Sequence, residues 1–353
     1  MSLPVRREPA RILILSNEDS TWTSEDYAEV DLEIARMQNG LIEQGFQTEV
    51  FTVRHSVLNE LGRQARYPRD RWLVFNWCEQ YFDRPWTDAE IADELEQLGY
   101  VFTGADAGGM RLSMDKAVVR RRLEAAGVPV PIGRVYTAVD VDDWRIFPAI
   151  VKPANQHSSC GVSRRSLVRN RAELRRQVRW VLNEFDGPAV VEEFVDGREI
   201  HVALIGNRDV TVLPAMEIDY SLFGDIHDRI YTNEAKFDKQ QLPYYLTKFL
   251  CPAPLDTATQ RRVEAVALAA YRLGGCRDYG RVDLRLCHGE PLVLDVNPNA
   301  DLTFESDHAI GSKMLGWNYG RMATRIIECA LERWPAWNPK EYETQSYIAA
   351  QPR

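Results

Sequence analysis

Tyr279-Gly-Arg281-Val-Asp283-Leu-Arg285-Leu-Cys-His288-Gly289-Glu290-Pro291-Leu-Val-Leu-Asp295-Val-Asn297-Pro-Asn299 is the stretch on which the reading turns. It splits into two apolar-alternating runs joined at His288-Gly289-Glu290-Pro291, the pattern of a β-hairpin. Alternation sets Arg281, Asp283 and Arg285 on one face and Val282, Leu284 and Leu286 on the other. On the returning strand Asp295 and Asn297 take the polar face, with Leu292, Leu294 and Val296 expected toward the core. Paired in register, the runs bring together two carboxylates, a carboxamide and a guanidinium. Hard oxygen donors suit Mg²⁺, and a fixed cation suits a phosphorylated intermediate. A hairpin with one solvated face would carry the same pattern, so the rest of the chain has to decide.

At 353 residues the chain can bury a large core and fill two or three lobes. Its 45% hydrophobic and 27% charged content is ordinary for a soluble globular protein. A net charge of -9 argues against nucleic acid as a partner, because phosphate binding needs a basic footprint. The basic cluster from Arg164 to Arg179 alternates with Leu167, Leu174, Val178 and Val181 at helical spacing, which predicts the wet face of an amphipathic helix. Six scattered cysteines without a CxxC pair point to reduced thiols in a cytoplasm. Arg6-Arg7 is followed by only Ile12-Leu13-Ile14-Leu15, so no signal peptide is expected. No apolar run reaches ~18 residues, which argues against a membrane partner.

The N-terminal third reads as α/β. Strands are predicted at Ala10–Ser16, Phe46–Thr52, Trp72–Asn76 and Tyr100–Thr103, with helices over Asp26–Gln44 and Asp88–Leu98 closed by Gly45 and Gly99. Strands alternating with helices imply a parallel sheet. A helix starting at Ser113-Met-Asp-Lys116 runs to the stop Gly127-Val-Pro-Val-Pro131. Strands at Phe147–Lys152 and Pro188–Glu193 bracket the basic helix, and another covers Glu199–Ile205. A helix over Asp256–Leu273 leads into the hairpin, and one helical stretch over Gly311–Glu332 closes the chain. The expected division is 1–112, an N-terminal α/β domain; 113–194, a central subdomain; and 195–353, a C-terminal catalytic subdomain.

Six separated segments agree in order and spacing with one family: Met114-Asp-Lys116, Ile150-Val-Lys152 through Ser158-Ser159-Cys-Gly161-Val162, Val191-Glu192-Glu193-Phe-Val195-Asp-Gly-Arg-Glu199, Glu234-Ala-Lys236-Phe237, Cys251-Pro-Ala-Pro-Leu255 and the hairpin. From about Val101 to the helix after Asn299 the chain resembles the D-alanine–D-alanine ligase family of ATP-grasp enzymes. The resemblance implies an ATP-grasp fold, α/β and α+β, with two lobes clasping ATP behind a parallel α/β lobe. It implies that Lys116, Lys152 and the Ser158–Ser159 loop hold the triphosphate. Adenine would lie along Glu192, Glu193 and Val195, with Glu199 on the ribose. Lys236 would close over the γ-phosphate. Asp283, Asp295 and Asn297 would hold two Mg²⁺ ions, or Mn²⁺. Arg281 and Ser158 would act on the acyl phosphate and oxyanion. The implied reaction joins the carboxylate of one amino acid to the amine of a second, in the cytoplasm and in a homodimer. Such an activity would serve peptidoglycan and cell-wall synthesis, or else a secondary pathway using another amino acid, hydroxy acid or peptide. A decayed nucleotide binder is the alternative of a different class, against which the retained charged set argues.

Departures gather on the amino-acid side. Ser16–Tyr27 replaces the family's N-terminal glycine-rich signature, with Glu25 or Asp26 the candidate clamp for the first substrate. A family Leu-His-Gly loop is Trp77-Cys78-Glu79-Gln80. The Pro-Gly after the hairpin is Ala300-Asp301, which together with Ser306 falls at the second-substrate subsite. A carboxylate at Asp301 would repel a substrate carboxylate unless a cation offsets it. The loop tyrosine of many members is Phe237. Its loss of a hydroxyl implies tolerance of a hydroxy acid as second substrate, or else simple packing of the closed loop.

Overall fold

The computed structural model describes residues 11–156, 160–185, 187–232 and 246–334. Strands β1 (Arg11–Asn17), β2 (Gln47–Val53) and β3 (Trp72–Asn76) pair parallel in the order β2-β1-β3. Between them, helix α1 (Ser24–Glu43) starts at a capping box in which Thr23 and Asp26 satisfy each other's backbone N–H groups. It stops before Gly45, whose φ of +90° costs glycine nothing. Next come α2 (Val57–Glu60), α3 (Asp88–Leu98) and α4 (Ala107–Met114). The strand expected at Tyr100–Thr103 contributes a single parallel bridge, Phe102 to Val74. The helix expected from Ser113 begins later: Ser113 belongs to α4, and α5 (Lys116–Ala125) is capped by Asp115, whose carboxylate accepts from Val118 N–H.

A second sheet contains β4 (Gly133–Tyr136), β5 (Ala149–Pro153), β6 (Leu167–Val168) and β7 (Ala189–Glu193) in the antiparallel order β4-β7-β5-β6. Helix α6 (Arg171–Glu184) buries Leu174, Val178 and Val181 against this sheet. The expected basic helix is therefore shorter than its charge pattern. Arg164–Ser166 is a 3-10 turn and Leu167–Val168 a sheet edge, because Asn170 caps α6 and starts it there.

The third sheet carries β8 (Arg198–Ile205), β9 (Thr211–Val212), β10 (Met216–Asp219), β11 (Lys248–Leu250), β12 (Tyr279–Cys287) and β13 (Glu290–Asn297). Its order is β11-β10-β8-β12-β13, with β9 on β8. Helix α7 (Thr257–Leu273) and α5 cover one face, where Val263, Ala267 and Leu123 meet Ile200, Val202, Leu204, Val282 and Leu284. The hairpin turns through His288 and Gly289, both at positive φ as a two-residue type I′ turn demands.

One expectation about the hairpin is corrected. Asp283 opposes Asp295, but Leu284 opposes Val293, so Leu294 is an extra residue in a β-bulge. The bulge resets the alternation: Pro291, Val293 and Val296 are buried on the core side, while Leu292 and Leu294 are only half-buried.

The closing helical stretch is two helices, α8 (Asp307–Met314) and α9 (Tyr319–Leu331), parted at Gly316 with φ +80°. Helix α9 returns to the first sheet and crosses α1 where Gly40 faces Gly320. A Cβ on Gly320 would stand 2.2 Å from the Gly40 carbonyl oxygen, so only glycine lets the helices approach this closely. Among the described residues no helix is long and apolar enough to cross a membrane.

Candidate active site

The other face of the third sheet, covered in part by α8 and α9, carries a polar wall built by alternation. On β12 it presents Arg281, Asp283 and Arg285; on β8, directly opposite, Glu199 and His201; on β13, Asp295 and Asn297. Register sets Arg281 against Asn297, Asp283 against both Asp295 and His201, and Arg285 against Glu199. Facing this wall is a cleft lined by Lys116 from α5, Lys152 from β5, Glu192 and Glu193 from β7, Phe194, Val195, Ile150, Val162 and Ile230. Apolar side chains with a few placed charges make a suitable pocket for a nucleotide base.

Each charge in the cleft has a partner. The Lys116 ammonium donates to Asp295 at 2.6 Å, and the Lys152 ammonium to Glu192 at 2.8 Å. Arg120, one helical turn after Lys116, donates to the other Glu192 oxygen at 3.0 Å. Burial opposes the Lys152 charge, but Glu192 beside it holds the ammonium above its ordinary range. Glu199 accepts from Arg285 at 2.7 Å and from the Tyr220 hydroxyl at 3.0 Å. Burial would raise its carboxyl, yet Arg285 and His201 pull it to about 2.

At the hairpin's far end Arg281 donates to both Asp283 oxygens, at 2.7 and 3.0 Å, and the Asn297 amide donates to Asp283 at 3.1 Å. A further group that sequence reasoning missed closes this arrangement. His201, 3% exposed, pairs through Nδ1 with Asp307 at 3.1 Å and faces Glu199 through Nε2 at 3.4 Å. Asp307 also lies 3.4 Å from Arg281. Burial would push the His201 imidazole down, but Asp283 and Asp307 outweigh it and lift it to about 9. Asp307 is pushed up by burial and held low by His201 and Arg281.

The remaining expected residues are placed as follows. Glu25 is exposed in the first turn of α1, where Asp26 is engaged in the capping box. The buried carboxylate at this end of the first sheet is Asp19, which accepts from Thr21 and Gln80. Asp301 accepts from the N–H and hydroxyl of Thr303 at 2.8 and 2.9 Å. Ser306 caps α8, its oxygen accepting from Ala309 N–H. Ser158, Ser159, Lys236 and Phe237 lie outside the described residues. Asp283, Asp295 and Asn297 offer the hard oxygen donors that Mg²⁺ takes, and they share one face of paired strands, so the donor set fits. Among the described residues no group of three or more His, Cys, Asp or Glu side chains is arranged to hold a metal ion.

A family profile described as "D-ala D-ala ligase C-terminus" matches residues 134–328. A D-alanine–D-alanine ligase of Desulforudis audaxviator is 31% identical over 252 residues, covering 70% of this chain and 78% of that protein. The chain belongs to the D-alanine–D-alanine ligase family. Membership implies ATP use. An uncharacterized protein of Sinorhizobium fredii, y4sG, is 32% identical over 269 residues, covering 75% of this chain and 76% of its own. In fold, the chain matches a crystal structure of D-alanine–D-alanine ligase from Bacillus anthracis complexed with ATP. The TM-score is 0.70 at 22% identity, covering 92% of this chain and 98% of that one. This ATP-grasp architecture is the one expected from the motifs, and the mixed parallel and antiparallel sheets agree with it.

Proposed function

We propose that the chain is an ATP-dependent carboxylate–amine ligase that activates D-alanine or a similar amino acid as an acyl phosphate and transfers it to a second molecule's amine. The observation that carries this reading is the register of the hairpin. It sets Asp283 against Asp295 and Arg281 against Asn297 on the wall facing the two-lysine cleft.

In this reading Lys116 and Lys152, with Ser158, Ser159 and Lys236, hold the triphosphate. Glu192, Glu193 and Val195 flank adenine, and Glu199 takes the ribose. Asp283, Asp295 and Asn297 hold two Mg²⁺ ions. When bound, the ions offset charge on the β- and γ-phosphates during transfer. The first substrate's carboxylate oxygen takes the γ-phosphoryl group and ADP leaves. The free amine of the second substrate then attacks the acyl carbon. The C–O bond to phosphate breaks, phosphate departs with the electron pair, and the new amide nitrogen loses its proton. Arg281 stabilises the oxyanion through a guanidinium that remains charged throughout. Glu25, Asp301, Ser306 and Phe237 are the proposed amino-acid contacts. The division at 112 and 194, a homodimer and a cytoplasmic location complete the reading.

The test is ADP release with a panel of D- and L-amino acids and D-hydroxy acids, with mass spectrometry of the products. Amino-acid-dependent ADP and a dipeptide mass are expected. No ADP release with any member would refute the ligase reading in favour of a nucleotide binder.

A further inference from the structure

Three features that attract an anion converge at the acceptor end of the wall: the Arg281 guanidinium, the His201 imidazole and the N-terminus of α8, where Ser306 is the cap. All three already meet one carboxylate, and it is the chain's own. Asp307 lies in the first turn of α8, where the helix dipole favours negative charge, 3.1 Å from His201 and 3.4 Å from Arg281. Arg281 is further tied to both oxygens of Asp283. Asp301 and Glu79 add negative charge at the same end. Asp301 feels both Arg281 and Asp307, and its charge acts in turn on the Glu79 carboxyl.

In the proposed reaction the second substrate's amine attacks the acyl carbon beside Arg281, so an α-amino acid entering there would bring its own carboxylate to within reach of Asp307, 3.4 Å from that guanidinium. We propose, resting on the ligase reading, that Asp307 occupies the position a substrate carboxylate would take. The second substrate is then an amine with no ionised carboxylate beside it, such as an amino-acid amide, an amino alcohol or a simple amine. Asp307 is the specificity-determining residue of this selection, acting against the acceptor's charge and not on the reacting atoms.

The experiment is a one-pot competition in which ATP, Mg²⁺ and D-alanine as donor meet equimolar D-alanine and D-alaninamide as acceptors, with both products measured by mass spectrometry. The wild-type protein should yield the amide product in at least tenfold excess. Asp307→Asn should shift the product ratio at least tenfold toward the acid, whereas Asp307→Glu should keep the wild-type ratio. The amide's intrinsically freer amine acts equally in all three proteins, so the shift isolates the charge. A wild-type preference for D-alanine, or one ratio in all three proteins, would overturn the inference.

Hydroxamate formed from D-alanine, ATP and hydroxylamine reports donor activation without a competing acceptor. Its absence would sink the ligase reading separately. Calorimetric binding of D-alanine and D-alaninamide to wild type and to Asp307→Asn, in the presence of a non-hydrolysable ATP analogue, then decides the inference by itself, since binding to the donor subsite is common to both proteins. A gain in D-alanine affinity on Asp307→Asn without a matching gain for D-alaninamide supports it, and equal changes for the two ligands refute it.

Discussion

Replacing Arg120 by Met should destabilise the protein and weaken ATP binding together, although Arg120 does not line the larger cleft facing the hairpin. Glu192 is buried, and its two oxygens are divided between Arg120 at 3.0 Å and Lys152 at 2.8 Å. Removing one partner of a buried pair typically costs about 3–5 kcal/mol, because a charge is left without compensation. Lys152 remains, so the lower end, about 3 kcal/mol, is expected for Arg120→Met. A second consequence follows from the shared carboxylate. Lys152 would share its three ammonium donors between Glu192 and a nucleotide phosphate, and without Arg120 the carboxylate draws it away from the phosphate more strongly. ATP affinity should fall about tenfold, equivalent to ~1.4 kcal/mol. Urea unfolding at pH 7.5 measures the first effect and titration calorimetry the second. Adding Glu192→Gln removes the stranded charge, and the double variant should recover ~2 kcal/mol relative to the sum of the single changes. Additive losses, or an Arg120→Met cost below about 1 kcal/mol, would refute the shared-carboxylate argument.

Asp295→Asn should abolish Mg²⁺-dependent turnover while costing no more than about 1 kcal/mol of stability, because its pair with Lys116 is partly solvated. Near-normal turnover would remove Asp295 from the proposed metal set. His308 is fully buried, and burial pushes its imidazole down to about 4. A histidine depressed in the folded state contributes stability above its unfolded pKa and loses it as pH falls toward the folded value. Wild type should therefore lose ~2.5 kcal/mol relative to His308→Gln between pH 7.5 and 4.5. Parallel unfolding curves for the two proteins across that range would contradict the burial argument. For Phe237→Tyr, the ratio of products from D-alanine and D-lactate should move toward the amide; an unchanged ratio leaves Phe237 a packing role.

Much of the fold was legible where local chemistry and tertiary packing agree. Helix α3 and strand β3 have the boundaries read from sequence, since Gly99 stops one and the other is an unbroken apolar run. The sequence pattern runs α8 and α9 together, because Gly316 interrupts an otherwise helical stretch and a lone glycine is a weak break. Helix α4 was missed for a related reason. Its Ala107-Gly108-Gly109 start has low helix propensity, and what secures it is Asp106, whose carboxylate caps Gly109 N–H.

The active-site wall shows a sharper division between what periodicity reveals and what register adds. His201 stands two residues after Glu199 on the same strand, so alternation alone puts both on one face. Arg120 stands one turn after Lys116, so helical spacing likewise puts them together. Both signals were available. Asp307 carried only the signal of a helix start, an acid in the first turn after the serine cap Ser306, and its importance comes from β8 and β12 bringing His201 and Arg281 to that start. The bulge at Leu294 was hidden. Yet it allows Asp295 to oppose Asp283 while Val293 and Val296 both stay in the core, which strict alternation forbids for residues three apart. The chemistry proposed for the hairpin thus depends on an irregularity that periodic reading excludes, held in place by the apolar residues on either side.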